Sequence, residues 1–178
     1  MRISEIRQFL EILALTEAIR HNSPPEAVES ELDSLLNTYF MHTEKLSTKG
    51  HNIITSSEGN RQIHYTGDIK NKANMSAFKR IGGVWQQDFI YNKQPHENGV
   101  KDGNARNLNH MLDQGHTVVS SGMISNHAER WYNKFYNNNK DKVAFTKFNA
   151  MTKEETPINS IDDIFDNEGH TLLKMKRK

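Results

Sequence analysis

The 178 residues carry 23 Lys and Arg against 22 Asp and Glu, a formal net charge of +1, with 35% hydrophobic residues and no cysteine. That balance excludes a global electrostatic case for nucleic-acid or membrane binding, and the missing thiol excludes disulfides, thiolate catalysis and Cys-ligated zinc. The length suits about one domain with a core of its own, and no apolar run approaches the roughly 20 residues that span a bilayer.

In chain order, Ile3, Ile6, Leu10 and Leu13 fall on one helical face with charges opposite. Glu5, Glu11 and Glu17 interrupt this apolar region and no small-residue cleavage site follows, so the segment reads as a helix of a cytoplasmic chain rather than a signal peptide. Ser23 then offers an N-cap, Pro24 suits the first helical position and Glu26 completes a capping box. A second helix would bury Val28, Leu32, Leu35, Leu36 and Tyr39. The expected layout is a helical hairpin over 1–46 and an α/β domain over 47–178.

After Lys45 the texture changes. Asn52–Ser56 and Gln62–Thr66 read as strands divided by a Ser-Glu-Gly-Asn turn. Asn71–Lys79 suits a loop or a short helix, Gly82-Gly83 punctuates, and Val84–Tyr91 reads as a strand followed by the polar loop NKQPHENGVKDGN. Ala105–Gln114 places Ala105, Leu108, Met111 and Leu112 on one face, and Gly115 supplies the stop. Thr117–Ser121 reads as a short buried strand. Ser125 would cap a helix with the stripe Ala128, Trp131, Tyr132 and Phe135, and Val143–Phe148 would follow as a strand. Asn149–Ser160 reads as a linker, Ile161–Phe165 as a helical turn and His170–Lys174 as a last strand.

From Val84 onward the order is strand, Gly-containing loop, helix, strand, helix, strand, a pattern that favours parallel pairing across the crossover helix. The loop Asn98-Gly99-Val100-Lys101-Asp102-Gly103-Asn104-Ala105 leads into a helix N-terminus, whose free N–H groups suit a phosphate. With Asn126, Ala128, Tyr132, Lys134 and Phe135 in the later helix, residues 84–148 resemble the second half of a GNAT-superfamily acyl-CoA N-acyltransferase. Asn126 and Ala128 stand one residue closer than in the family pattern. Val100 stands where the family's loop has Arg or Gln, and Asp102 adds a negative charge to the cradle.

The resemblance implies a GNAT-like α/β fold, a mixed sheet of α+β type with flanking helices, preceded here by the helical hairpin. It implies acetyl-CoA or another acyl-CoA as cofactor, and a small-molecule or protein amine as acceptor. Tyr132 would be the general acid toward the departing thiolate, Asn126 would contact the acyl or pantetheine part, and N–H groups from Val100 through Lys101, Gly103 and Asn104 to Ala105 would hold the pyrophosphate. No motif assigns the base; Asp88 and Glu97 flank the implied site.

Other readings stand beside this one. Tyr132 shares its face with Ala128 and Phe135, which suits a core tyrosine with its hydroxyl at the surface, and Trp131 would point elsewhere. Gly103 also suits a plain turn. The nine histidines show no ligand spacing, so no metal is expected, His110 and His116 included. His64 and Tyr65 near Asp68 suit either a pocket or an alternating strand. Ser120-Ser121-Gly122 lacks a nucleophile elbow. The alternative function is a catalytically silent interaction protein on the same scaffold, phage-encoded or virion-associated in view of the Asn-rich, Cys-free composition, acting in a host cytoplasm or virion and docking a partner through its first helix.

Overall fold

Residues 44–48, 51–56, 58–68, 71–92, 102–122, 124, 126–165 and 170–178 are described by the computed structural model. The expected helical hairpin lies outside them, as do Glu97, Val100 and Lys101.

Strands β1 (Glu44–Thr48), β2 (His51–Thr55), β3 (Arg61–Asp68), β4 (Asn71–Ile81) and β5 (Val84–Asn92) run as an antiparallel meander. A two-residue Gly82-Gly83 turn joins the last two, the loop length that right-handed strand twist favours. Helix α1 (Gly103–Asp113) then crosses over to β6 (Val118–Ser120), which pairs parallel with β5 as the strand–helix–strand order predicts. Helix α2 (Asn126–Asn139) leads to β7 (Val143–Asn149) and the edge strand β8 (Glu155–Pro157). A 3-10 turn over Ile161–Asp163 precedes β9 (Thr171–Arg177), which inserts antiparallel between β6 and β7. The result is one mixed sheet of nine strands, in the order β1-β2-β3-β4-β5-β6-β9-β7-β8.

Three segments differ from the sequence expectation. Glu44–Thr48 pairs with β2 as an unexpected strand. Asn71–Ile81 is a long strand, not a loop or helix. Its alternation is disguised because Asn74 and Ser76 are buried against α1 where apolar side chains usually mark a strand. Within the expected 149–160 linker, Glu155–Pro157 pairs with β7 although all three residues are exposed, and Pro157 is tolerated because this is a sheet edge.

Helix α1 presents Asn104, Asn107, Leu108, Met111 and Leu112 inward, the spacing of one helical face. It ends in a Schellman motif: Gly115 N–H donates to the Leu112 carbonyl and His116 N–H to the Met111 carbonyl. Gly115 takes φ of 80°, where a Cβ would be strained. Tyr132 and Phe135 of α2 enter the same core as Phe78, Trp85, Leu108 and Met175. Trp131 does not turn away from them; its ring stacks on Phe135, with centroids 5.4 Å apart.

Candidate functional site at the parting of two parallel strands

The parallel ladder between β5 and β6 is short: Trp85 pairs with Val118, Gln86 with Val119 and Gln87 with Ser120. Beyond Gln87 strand β5 continues to Asn92, whereas β6 has ended. At the same place β5 carries a bulge. Phe78 of β4 pairs with Gln87 and Ala77 with Phe89, which leaves Asp88 as the extra residue. A bulge bends its strand and sharpens the local twist, so the two parallel strands part from Gln87 and Ser120 onward.

Tyr132 of α2 reaches this point. Its hydroxyl donates to Gln87 Oε1 at 3.0 Å, with both side chains about 99% buried. Among the described residues Gln87 Nε2 is buried without a hydrogen-bond partner. Burial, and then the charge of nearby Asp88, push the Tyr132 phenol well above the ordinary tyrosine value. The phenol therefore keeps its proton at physiological pH and acts as a donor. Asp88 is half-buried on β5. The Tyr132 hydroxyl thus lies in the interior, not at the surface.

The start of α1 supplies a second group of residues. Asp102, in the left-handed region at φ of 58°, precedes the helix without capping it through its side chain. Its carboxylate accepts instead from Lys134 Nζ at 3.3 Å, which ties the start of α1 to α2 and offsets the charge that Asp102 brings. Gly103 is buried against β4, and a Cβ there would come within 2.6 Å of Asn74 Cγ. Asn104 turns its side chain to the sheet, where Oδ1 accepts from Ser76 Oγ at 3.0 Å. Ala105 packs at the margin of the core, and Asn126 is exposed at the first turn of α2. The backbone N–H groups at the start of α1 have no partner within the helix, and they are donors that could face a ligand.

Sequence reasoning missed a buried polar layer beneath α1. Asn107 Nδ2 donates to the His64 carbonyl at 3.2 Å, and Thr66 Oγ1 donates to Asn74 Oδ1 at 2.9 Å. Three histidines gather beside it: His51 of β2, His64 of β3 and His110 of α1, with ring centroids 4.8 to 5.6 Å apart. His51 Nε2 lies 3.2 Å from His64 Nδ1, and His64 Nε2 lies 2.9 Å from Gln62 Oε1. With His64 donating to Gln62, its Nδ1 is left to accept from His51. Desolvation, followed by the neighbouring rings, lowers the pKa of His64 well below the ordinary value; desolvation, His110 and Arg106 lower that of His51 to about 4. Desolvation lowers His110 too, against the opposing pull of Asp113. Among the described residues no group of three or more His, Asp or Glu is placed to hold a metal ion. His64 is therefore an interior strand residue within this cluster. The one signal in the sequence was polar residues at alternate positions, His64 with Thr66 and Asn74 with Ser76.

No protein-family model matches the sequence, and none of the curated proteins does. Among solved structures, a protein from Bacteroides thetaiotaomicron assigned to the GNAT family of acetyltransferases matches with a TM-score of 0.39 and 11% identity. The match covers 100% of this chain and 85% of that one. Likeness at this level does not place the chain in that family. Among the described residues no helix is long and apolar enough to cross a membrane.

Proposed function

We propose that this chain transfers an acyl group from an acyl-CoA thioester to an amine. The observation that carries the reading is the Tyr132 phenol, fixed to Gln87 where β5 and β6 part and beside the bulge at Asp88. Bound acyl-CoA would supply an activated acyl group. The buried Gln87 Nε2, unpaired among the described residues, suits a polar ligand at the parting, and the first turn of α1 suits its anionic end. There the N–H groups of Gly103, Asn104 and Ala105 would bind, with Lys101 and Lys134 adding charge and Asn126 contacting the pantetheine or acyl part.

Proton accounting then assigns the remaining roles. The amine loses one proton on forming the amide, and the sulfur gains one on leaving. Tyr132 delivers the second, and a carboxylate, Asp88 or Glu97, takes the first and returns it to the phenol. Asp88 is preferred here because its charge acts on Tyr132.

The test is thermal stability with and without acetyl-CoA, followed by thiol release on a panel of amines. The chain's own lack of cysteine removes background from a thiol assay. Ligand at one hundred times its dissociation constant stabilises by about 2.7 kcal/mol. Tyr132→Phe then lowers turnover far more than binding; equal effects on both remove Tyr132 from the acid role. One observation favours the second reading, a silent interaction scaffold: Tyr132 lies inside the main core with its hydroxyl already bonded. No stabilisation at millimolar acetyl-CoA selects that reading.

A further inference from the structure

A buried amide normally satisfies both of its ends, because an unpaired polar group away from water costs about 1–3 kcal/mol. Gln87 satisfies one. Tyr132 has a single hydroxyl proton and gives it to Oε1, so the amide is oriented with its NH2 end left over. Apolar side chains occupy most such positions in a core, and Trp85, two residues earlier on the strand, does so here. A glutamine kept 1% exposed with a free donor needs another occupant for that donor.

Its place in the sheet indicates which occupant. Gln87 holds the last rung of the parallel ladder, directly before the extra residue of the bulge, so its side chain stands at the point where β5 and β6 separate. The geometry points to Gln87 Nε2–H as the donor that binds the carbonyl oxygen of the acyl group, while Oε1 of the same amide positions the Tyr132 phenol beside it. This rests on the acyl-transfer reading above. One planar side chain then fixes two groups. The carbonyl is held by the N–H, and the proton source for the sulfur is held by the oxygen. When the amine's lone pair adds to the carbonyl carbon, the C=O π pair moves to the oxygen, and the Gln87 N–H faces the charge that develops. When that pair returns, the C–S bond breaks and sulfur takes the Tyr132 proton, which the base restores from the amine. The Gln87 amide itself gains and loses nothing.

The test begins with the unaltered protein and acetyl-CoA carrying 13C at the carbonyl. Binding should shift the labelled C=O stretch to lower frequency in the isotope-edited infrared spectrum; an unshifted stretch in the bound complex overturns the inference without any variant. Gln87→Met removes the donor at similar volume and should weaken acetyl-CoA binding about fivefold while leaving free CoA unaffected, the effect of one hydrogen bond made only to the acyl group. It should also lower kcat by about 10²–10³, as loss of one oxyanion donor does. Gln87→Glu retains an acceptor for Tyr132 without an N–H2 group, and should show the same selective loss; equal loss of acetyl-CoA and CoA affinity in both variants indicates a merely structural amide and overturns the inference. Failure of the unaltered protein to bind acetyl-CoA at millimolar concentration removes the acyl-transfer reading and this inference together. Binding and turnover that Gln87→Met leaves unchanged remove this inference alone.

Discussion

His51→Gln should make the protein less sensitive to acid. In the folded chain His51 is buried, its Nε2 set 3.2 Å from His64, and its pKa stands at about 4 against an ordinary 6.5. Desolvation leads, and His110 and Arg106 add repulsion to any charge placed there; His64 adjoins it, and Asp113 and His116 act on His110. Since the folded pKa is depressed, the unfolded chain binds a proton on His51 first as pH falls. Stability from this group is complete above about 6.5, declines as pH falls from there toward about 4, and then levels off. The difference between 6.5 and about 4 corresponds to about 3 kcal/mol, reduced to about 2 kcal/mol by partial solvent screening of the ring. Urea unfolding at pH 7.5, 6, 5 and 4 measures it. Gln cannot titrate, yet its amide retains an N–H for His64. The variant's stability should therefore fall by about 2 kcal/mol less than that of the unaltered chain between pH 7.5 and 4. Parallel curves for the two proteins would refute the placement of a neutral His51 in this cluster.

Three further outcomes follow from single contacts. Gly103→Ala should destabilise by about 1–3 kcal/mol in urea unfolding, because the new methyl meets Asn74, and pairing it with Asn74→Ala should shrink that loss. Tyr132→Phe should cost about 1–3 kcal/mol of stability in the absence of any ligand, since it leaves the buried Gln87 amide with neither end bonded; an unchanged melting temperature would contradict that hydrogen bond. Arg177→Ala, although it breaks contacts to Asp113 and Asn109, should change stability by no more than about 1 kcal/mol, because the Asp113 side chain is 57% exposed.

What the sequence revealed and what it concealed divide along physical lines. From Val84 to Phe148 the elements are written plainly: β-branched and aromatic residues in the strands, a 3.6-residue repeat in the helices, and Gly115 at a Schellman end. Even the shared face of Ala128, Tyr132 and Phe135 was legible. Strand β4 was not, because its inward positions carry Asn74, which bonds to Thr66 and lies against Gly103, and Ser76, which meets Asn104 and Asn107 from a helix some 30 residues later. Strand β8 was hidden for the opposite reason: its three residues are exposed, and backbone pairing with β7 holds it together with Glu155 side-chain contacts to Thr146 and Lys174. The residue on which the proposed role turns, Gln87, was hidden in VWQQDFIY. Alternation says that one of Gln86 and Gln87 faces inward, but only the bulge at Asp88 and the end of the β6 ladder mark which of them stands at the parting. The histidine cluster joins positions 51, 64 and 110, a proximity that no local pattern encodes.

The most direct measurement is an NMR titration of 15N-labelled protein with acetyl-CoA, followed at the Gln87 side-chain amide and at the backbone N–H groups of Asp88, Gly103, Asn104 and Ala105. Concerted saturable shifts at these positions, with the N–H groups of Glu155 and Thr156 in the exposed strand β8 unmoved, are the predicted result. A spectrum that does not respond, or that responds only away from the parting of β5 and β6, would contradict the account.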